Sequence, residues 1–172
     1  MDRLTVGDLN SASEARASDL LRDCCASSSW VERMIVRRPF TSRDEILSAA
    51  DEIWWSLDEK DWIEAFEAHP RIGEQSAERQ SRRATGWSTG EQAAVLPASP
   101  VVLNELADVN RAYEDRFDYT YVVFATGKSA EELLGIAKER LNNDPGTELR
   151  TAAEEQRKIT RLRLERALFE DA

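Results

Sequence analysis

The chain has 172 residues, enough for one domain with a real core, and its 41% hydrophobic and 33% charged residues are ordinary for a soluble, helix-rich protein. A formal net charge of −10 lacks the basic footprint that phosphate contacts need, which excludes general nucleic-acid binding and leaves an anionic substrate needing a local cationic pocket. No apolar run approaches the ~18 residues of a membrane span, so no membrane partner is expected.

Serine-led capping boxes punctuate the chain. Ser11-x-x-Glu14 predicts a helix over 12–25, closed by the adjacent Cys24 and Cys25 as small buried side chains. Two neighbouring thiols make neither a disulfide framework nor a zinc site. There is no charged-then-apolar leader, and Phe169-Glu170-Asp171-Ala172 is no peroxisomal signal, so a reduced cytoplasmic protein is expected. Ser42-x-x-Glu45 predicts a helix over 42–56. Trp62, Ile63 and Phe66 at helical spacing predict another over 59–68. Further helices are expected over 75–83 and, from Ser88-x-x-Glu91, over 89–95. Ser99-Pro100 opens a helix over 100–117. Thr120 to Thr126 favours β structure but has no partner run, so an extended segment buried between helices is expected. Ser129-x-x-Glu132 starts a helix over 130–142, and Asp144-Pro145-Gly146 turns into a long final helix over 146–169. With no repeat or linker, residues 1–172 read as one all-α domain of about eight helices.

Four polar residues sit where the pattern predicts structure with consequences. His69 is the only histidine, in His69-Pro70-Arg71-Ile72-Gly73. Pro70 disfavours helical geometry before it, which puts His69 at or just past a helix C-terminus, where backbone carbonyls could hold its ring. It is either a C-capping residue or the proton carrier of a site, since imidazole titrates near physiological pH. Asn110 recurs with Leu103, Leu106, Tyr113 and Phe117 on one apolar face, and is read as a structural amide tying two helices together. In the last helix Leu149, Ala152, Gln156, Ile159 and Arg163 share one stripe, so Arg163 points inward and Arg161 away. A buried guanidinium requires a carboxylate, carbonyls or a ligand anion, and periodicity does not choose among them. Glu91 could simply close a capping box on Ser88, whose helix-start amides would also favour an anion.

A set of motifs running in order over nearly the whole chain resembles the OHCU decarboxylase family. It comprises Trp30-Val31, Arg38-Pro39-Phe40, His69-Pro70-Arg71-Ile72-Gly73 and Trp87-Ser88-Thr89-Gly90-Glu91-Gln92. Asn110, Tyr113 and Phe117 follow, then Tyr121-Val122-Val123-Phe124 with Gly127, Arg140-Leu141-Asn142-Asn143-Asp144 and Ile159-Thr160-Arg161-Leu162-Arg163-Leu164. One departure is Asp118, where the family commonly has glycine; this suggests a turn of unusual backbone angles that aspartate occupies less comfortably.

The resemblance implies cofactor-free decarboxylation of 2-oxo-4-hydroxy-4-carboxy-5-ureidoimidazoline to (S)-allantoin in urate degradation, by a homodimer. It also implies that His69 and Glu91 share the proton transfers, that Pro70, Ser88 and Gln92 contact the substrate, and that Arg163 holds an anionic or carbonyl group. No metal is implied. Two other classes compete: a helical interaction module, which gives no reason for an inward arginine, and a metal hydrolase. The latter lacks Glu-x-x-His, because Phe66 stands three residues before His69.

Overall fold

In a computed structural model, residues 4–73, 82–93, 95 and 98–169 are described, with no side-chain description for 82–85 or 169. Nine helices occur among them: α1 Val6–Ser11, α2 Glu14–Cys24, α3 Ser28–Arg37, α4 Arg43–Trp55, α5 Glu59–Glu67, α6 Arg82–Glu91, α7 Pro100–Phe117, α8 Ala130–Arg140 and α9 Pro145–Ala167. The all-α class is as expected. Two short strands, β1 Leu4–Thr5 and β2 Leu168–Phe169, pair in parallel and were not foreseen. No described helix is long and apolar enough to cross a membrane.

The caps explain where most helices begin. Ser42, Ser99 and Ser129 each accept the amide three residues on, and Glu132 completes the box by accepting from the Ser129 amide at 2.7 Å. At α2 the cap is Ser13 rather than Ser11; its hydroxyl accepts from the Arg16 amide at 3.3 Å. The Ser11 hydroxyl instead bonds back to the Gly7 carbonyl of α1. Helices α1 and α3 escaped the sequence reading. The first starts on a Thr5–Asp8 capping box, the second on Ser27 ahead of the buried Trp30, Val31 and Met34.

The residues fall into two compact units, 1–65 with 157–172 and 66–156. In the first, Trp30 is fully buried and its indole donates to the Ala50 carbonyl at 3.1 Å. Arg38 Nη1 donates to the carbonyls of Leu9 and Ala12 at 2.9 and 3.0 Å, meeting the acceptors left at the end of α1. Asn10 exchanges two hydrogen bonds with the Phe40 backbone. The Arg38-Pro39-Phe40 motif is thus a latch on α1. Cys24 and Cys25 are free and buried at the end of α2, as expected.

The second unit is organised by a buried ion pair. Arg140 Nε donates to Glu148 Oε1 at 2.8 Å, Asn143 donates to Oε2 at 2.9 Å, and the Tyr113 hydroxyl also donates to Oε1. Arg140 lies over the rings of Tyr121 and Tyr113, and its Nη1 donates to the Val122 carbonyl at 2.8 Å. Desolvation is the largest single influence and works against the Arg140 charge, but the hydrogen bond to Glu148 and the attraction of Tyr113, Glu148 and Tyr121 together outweigh it and hold the guanidinium above its usual range. Residues 120–125 form neither helix nor strand, and Tyr121, Val122, Val123 and Ala125 are buried, as expected of the lone β-favouring run. Asp118 has φ 62° and ψ 24°, the left-handed geometry expected at that position; its amide donates to the Glu114 carbonyl and ends α7.

Candidate active site

Every residue of His69-Pro70-Arg71-Ile72-Gly73 is placed by a specific contact or by burial. The His69 amide donates to the Phe66 carbonyl at 3.1 Å, just beyond the end of α5, where Pro70 prevents continuation. Its ring Nε2 meets Gln156 Oε1 at 2.6 Å, a side-chain partner that the sequence did not name. Pro70 and Ile72 are buried. Arg71 forms a two-pronged pair with Glu114, Nε to Oε1 at 2.7 Å and Nη2 to Oε2 at 2.8 Å. Asn110 Nδ2 donates to the Ile72 carbonyl at 3.1 Å, and the Gly73 amide donates to Gln92 Oε1 at 3.0 Å. Gly73 has φ 92°, a backbone conformation that favours glycine.

Asn110 therefore anchors a loop, not a second helix. Its Nδ2 is used, while its buried Oδ1 has no hydrogen-bond partner. The difference arises because helical periodicity shows only that a side chain points inward, not what it meets.

Ser88 and Glu91 are corrected more sharply. The expected helix over 89–95 does not exist, and Ser88 is no N-cap: α6 spans Arg82–Glu91, so Ser88 lies inside its last turns. The Gln92 amide donates to the Ser88 carbonyl at 3.1 Å, the i to i−4 pattern of a helix interior. The Ser88-x-x-Glu91 spacing fits a capping box, but it is equally the three-residue spacing of two side chains on one face of a continuing helix. The expected helix over 75–83 lies mostly outside the described residues; 82 and 83 belong to α6.

The correction removes helix-start amides as an anion site and leaves a different arrangement. Ser88 and Glu91 stand three residues apart on one face of α6, and Gln92 follows directly after its end. Ser88 is 4% exposed and Glu91 7%, so this face is turned inward, and the half-buried Gln92 just past the helix end holds the loop that carries His69. Glu91 lies at the negative pole of the helix dipole and gains nothing from that position. A buried serine and carboxylate, with a half-buried amide bonded to the loop that carries an imidazole, can accept, donate and move protons.

Within the second unit, then, the structure joins the His69 loop, the Gln92 end of α6, Asn110 and Gln156. Arg163 belongs to the first unit. It is 4% exposed, and its Nη1 donates to the Asp23 carbonyl at 3.2 Å in the last turn of α2, where a cation suits the helix dipole. Gln156 is the functional candidate that sequence reasoning passed over. The signal was present, since a glutamine on the buried stripe of the last helix must find a partner. Among the described residues no group of three histidine, cysteine, aspartate or glutamate side chains could hold a metal ion.

Comparison with known proteins bears on this site. A family model described as OHCU decarboxylase matches residues 10–165. The chain is 39% identical over 150 residues to the uric acid degradation bifunctional protein TTL of Arabidopsis thaliana, covering 86% of this chain and 46% of that protein. It thus spans less than half of that relative's length. It is 29% identical to the 2-oxo-4-hydroxy-4-carboxy-5-ureidoimidazoline decarboxylase of Halalkalicoccus jeotgali, covering 96% of this chain and 92% of that one. A crystal structure of OHCU decarboxylase in the presence of (S)-allantoin matches with a TM-score of 0.75 at 35% identity, over 86% of this chain and 96% of that one.

Proposed function

This chain belongs to the OHCU decarboxylase family, and from that premise we propose that it decarboxylates 2-oxo-4-hydroxy-4-carboxy-5-ureidoimidazoline to (S)-allantoin. The observation that supports the proposal is the joining of the His69 loop, through the Gly73 amide and Gln92, to the end of the helix that buries Ser88 and Glu91.

The chemistry needs no cofactor. The carbon that bears the carboxylate also bears a hydroxyl and neighbours a C=N bond. When the bond to the carboxylate breaks and CO2 leaves, its electron pair forms a carbon–carbon double bond and displaces the imine electrons onto nitrogen, which takes up a proton. The hydroxyl then gives up its proton as its carbon becomes a carbonyl, and the neighbouring carbon takes one on a single face, which sets the (S) configuration. The net change is loss of CO2 and uptake of one proton.

His69 and Glu91 are assigned these proton transfers, worth roughly 100- to 10,000-fold in rate. Ser88 and Gln92 are assigned hydrogen bonds to the substrate, and Pro70 a packing contact. Arg163 is assigned an anionic or carbonyl group of the substrate on the resemblance alone. Residues 1–172 are taken as one functional domain, since the family match runs through both compact units. A cytoplasmic homodimer completes the proposal; two free, buried cysteines suit a reducing compartment, and the dimer rests on the resemblance.

The test is chiral detection of allantoin when the protein is added to the freshly generated, unstable product of hydroxyisourate hydrolysis. Rapid formation of the (S) enantiomer is expected. Racemic allantoin at the spontaneous rate would reject the proposal.

A further inference from the structure

We infer that Gln156 is a positioning residue that sets the tautomer of His69, keeping the ring proton on Nε2 and the basic lone pair on Nδ1. The inference rests on the proposed role of His69 in proton transfer.

The Nε2 to Oε1 separation of 2.6 Å is a full hydrogen bond. An amide oxygen carries lone pairs and no proton, so the ring nitrogen facing it must be the donor. In neutral imidazole one nitrogen donates and the other accepts. Donation from Nε2 therefore makes Nδ1 the nitrogen that can take a proton, and the partner of one nitrogen decides which other one does chemistry.

Gln156 is built to hold this choice. It is 1% exposed on α9, so few rotamers are open to it. The preceding residue, Glu155, accepts from the Phe124 amide at 2.7 Å. Two successive residues of α9 thus fix two separate pieces of the unit, the imidazole and the 120–125 segment. Ordering a ring before the substrate arrives removes that cost from the reaction itself.

The sequence makes the inference directly readable. With one histidine in the chain, tag-free protein labelled with 15N only in histidine gives one imidazole spin system. At alkaline pH, where the ring is neutral, the two-bond proton–nitrogen correlation pattern identifies which nitrogen is protonated. Wild-type protein should show a single tautomer with the proton on Nε2. Gln156→Leu, which cannot accept, should show a mixture, and Gln156→Glu should keep the wild-type pattern. In parallel, Gln156→Leu should lower kcat by roughly 10-fold or more, part of what a positioned proton-transfer group supplies, with KM little changed.

A wild-type ring protonated on Nδ1, or already mixed, would overturn the inference. So would a Leu variant with mixed tautomers and unaltered kcat. The wild-type spectrum needs no variant, so it stays decisive even where Gln156→Leu does not fold. A wild-type protein with the expected tautomer but no (S)-allantoin production would instead reject the decarboxylase reading, and the catalytic purpose of the bond with it.

Discussion

Arg161 and Arg163 stand two residues apart on α9 and occupy opposite environments. The Arg161 side chain is 42% exposed, reaching Asp51 Oδ2 at 3.5 Å and Glu165 at 3.4 Å, whereas Arg163 is 4% exposed and donates to the Asp23 carbonyl. At about 100° per residue two steps turn the direction by about 200°, which leaves the two side chains about 160° apart and explains why they diverge. Arg163→Lys keeps the charge but loses the planar fork, and should raise KM for the substrate by roughly 10-fold, the scale of one charge-assisted hydrogen bond. Arg161→Lys should leave KM and kcat near wild type. Steady-state kinetics of the two variants under identical substrate generation decide the matter; a larger defect in Arg161→Lys would move the substrate contact away from Arg163.

Glu91→Gln should cost rate and spare stability. Glu91 is not closing a capping box, because α6 begins at Arg82, so no cap is lost when its charge is removed. Glutamine keeps the shape without the basicity. We expect kcat to fall on the order of 100-fold or more, the scale of a lost proton-transfer group, while thermal unfolding moves little. His69→Asn should behave in the same way. A Glu91→Gln protein that melts early and turns over normally would make Glu91 structural.

Arg140→Met should be the most damaging substitution named here, although Arg140 has no proposed chemical role. It leaves the Glu148 carboxylate, 0% exposed, without its cation. Breaking a buried pair on one side typically costs about 3–5 kcal/mol. Arg140→Met with Glu148→Leu should recover part of that loss, since no charge then remains buried. Urea unfolding of the wild type, the single and the double variant measures both effects, and a double variant less stable than Arg140→Met would refute the account.

Alkaline stability should depend on Cys25. Burial pushes its thiol from 9.0 up to about 11, against hydrogen bonds from the Ser27 backbone and the Thr160 side chain and the nearby Arg163 charge. The folded state thus holds the proton more tightly than the unfolded chain. Its contribution is whole below pH 9.0, falls as pH rises, and is lost above about 11. Two units correspond to roughly 2–3 kcal/mol. Cys25→Ala should therefore lose less stability between pH 8.5 and 10.5 than the wild type does, in paired denaturant titrations. Equal losses would mean that the thiol stays neutral in both states over this range.

Much of the architecture was legible in the residues alone because it is dictated locally. Ser42, Ser99 and Ser129 cap the helices they announce, Pro70 ends the helix before His69, and the β-favouring run over 120–125, lacking a partner run, forms no strand. A cap or a proline acts within four residues, and periodicity shows which side of a helix turns inward, so Asn110, Gln156 and Arg163 could all be called buried. Only the tertiary structure decided what those buried groups meet. Ser88-x-x-Glu91 satisfies the capping pattern, yet packing carried α6 through two glycines and turned the pair into an inward face. The His69 ring found an amide 87 residues away, and Asn110 a loop carbonyl 38 residues away. A hydrogen bond depends on distance and angle in space, and spacing along the chain carries neither once the partners lie on different elements.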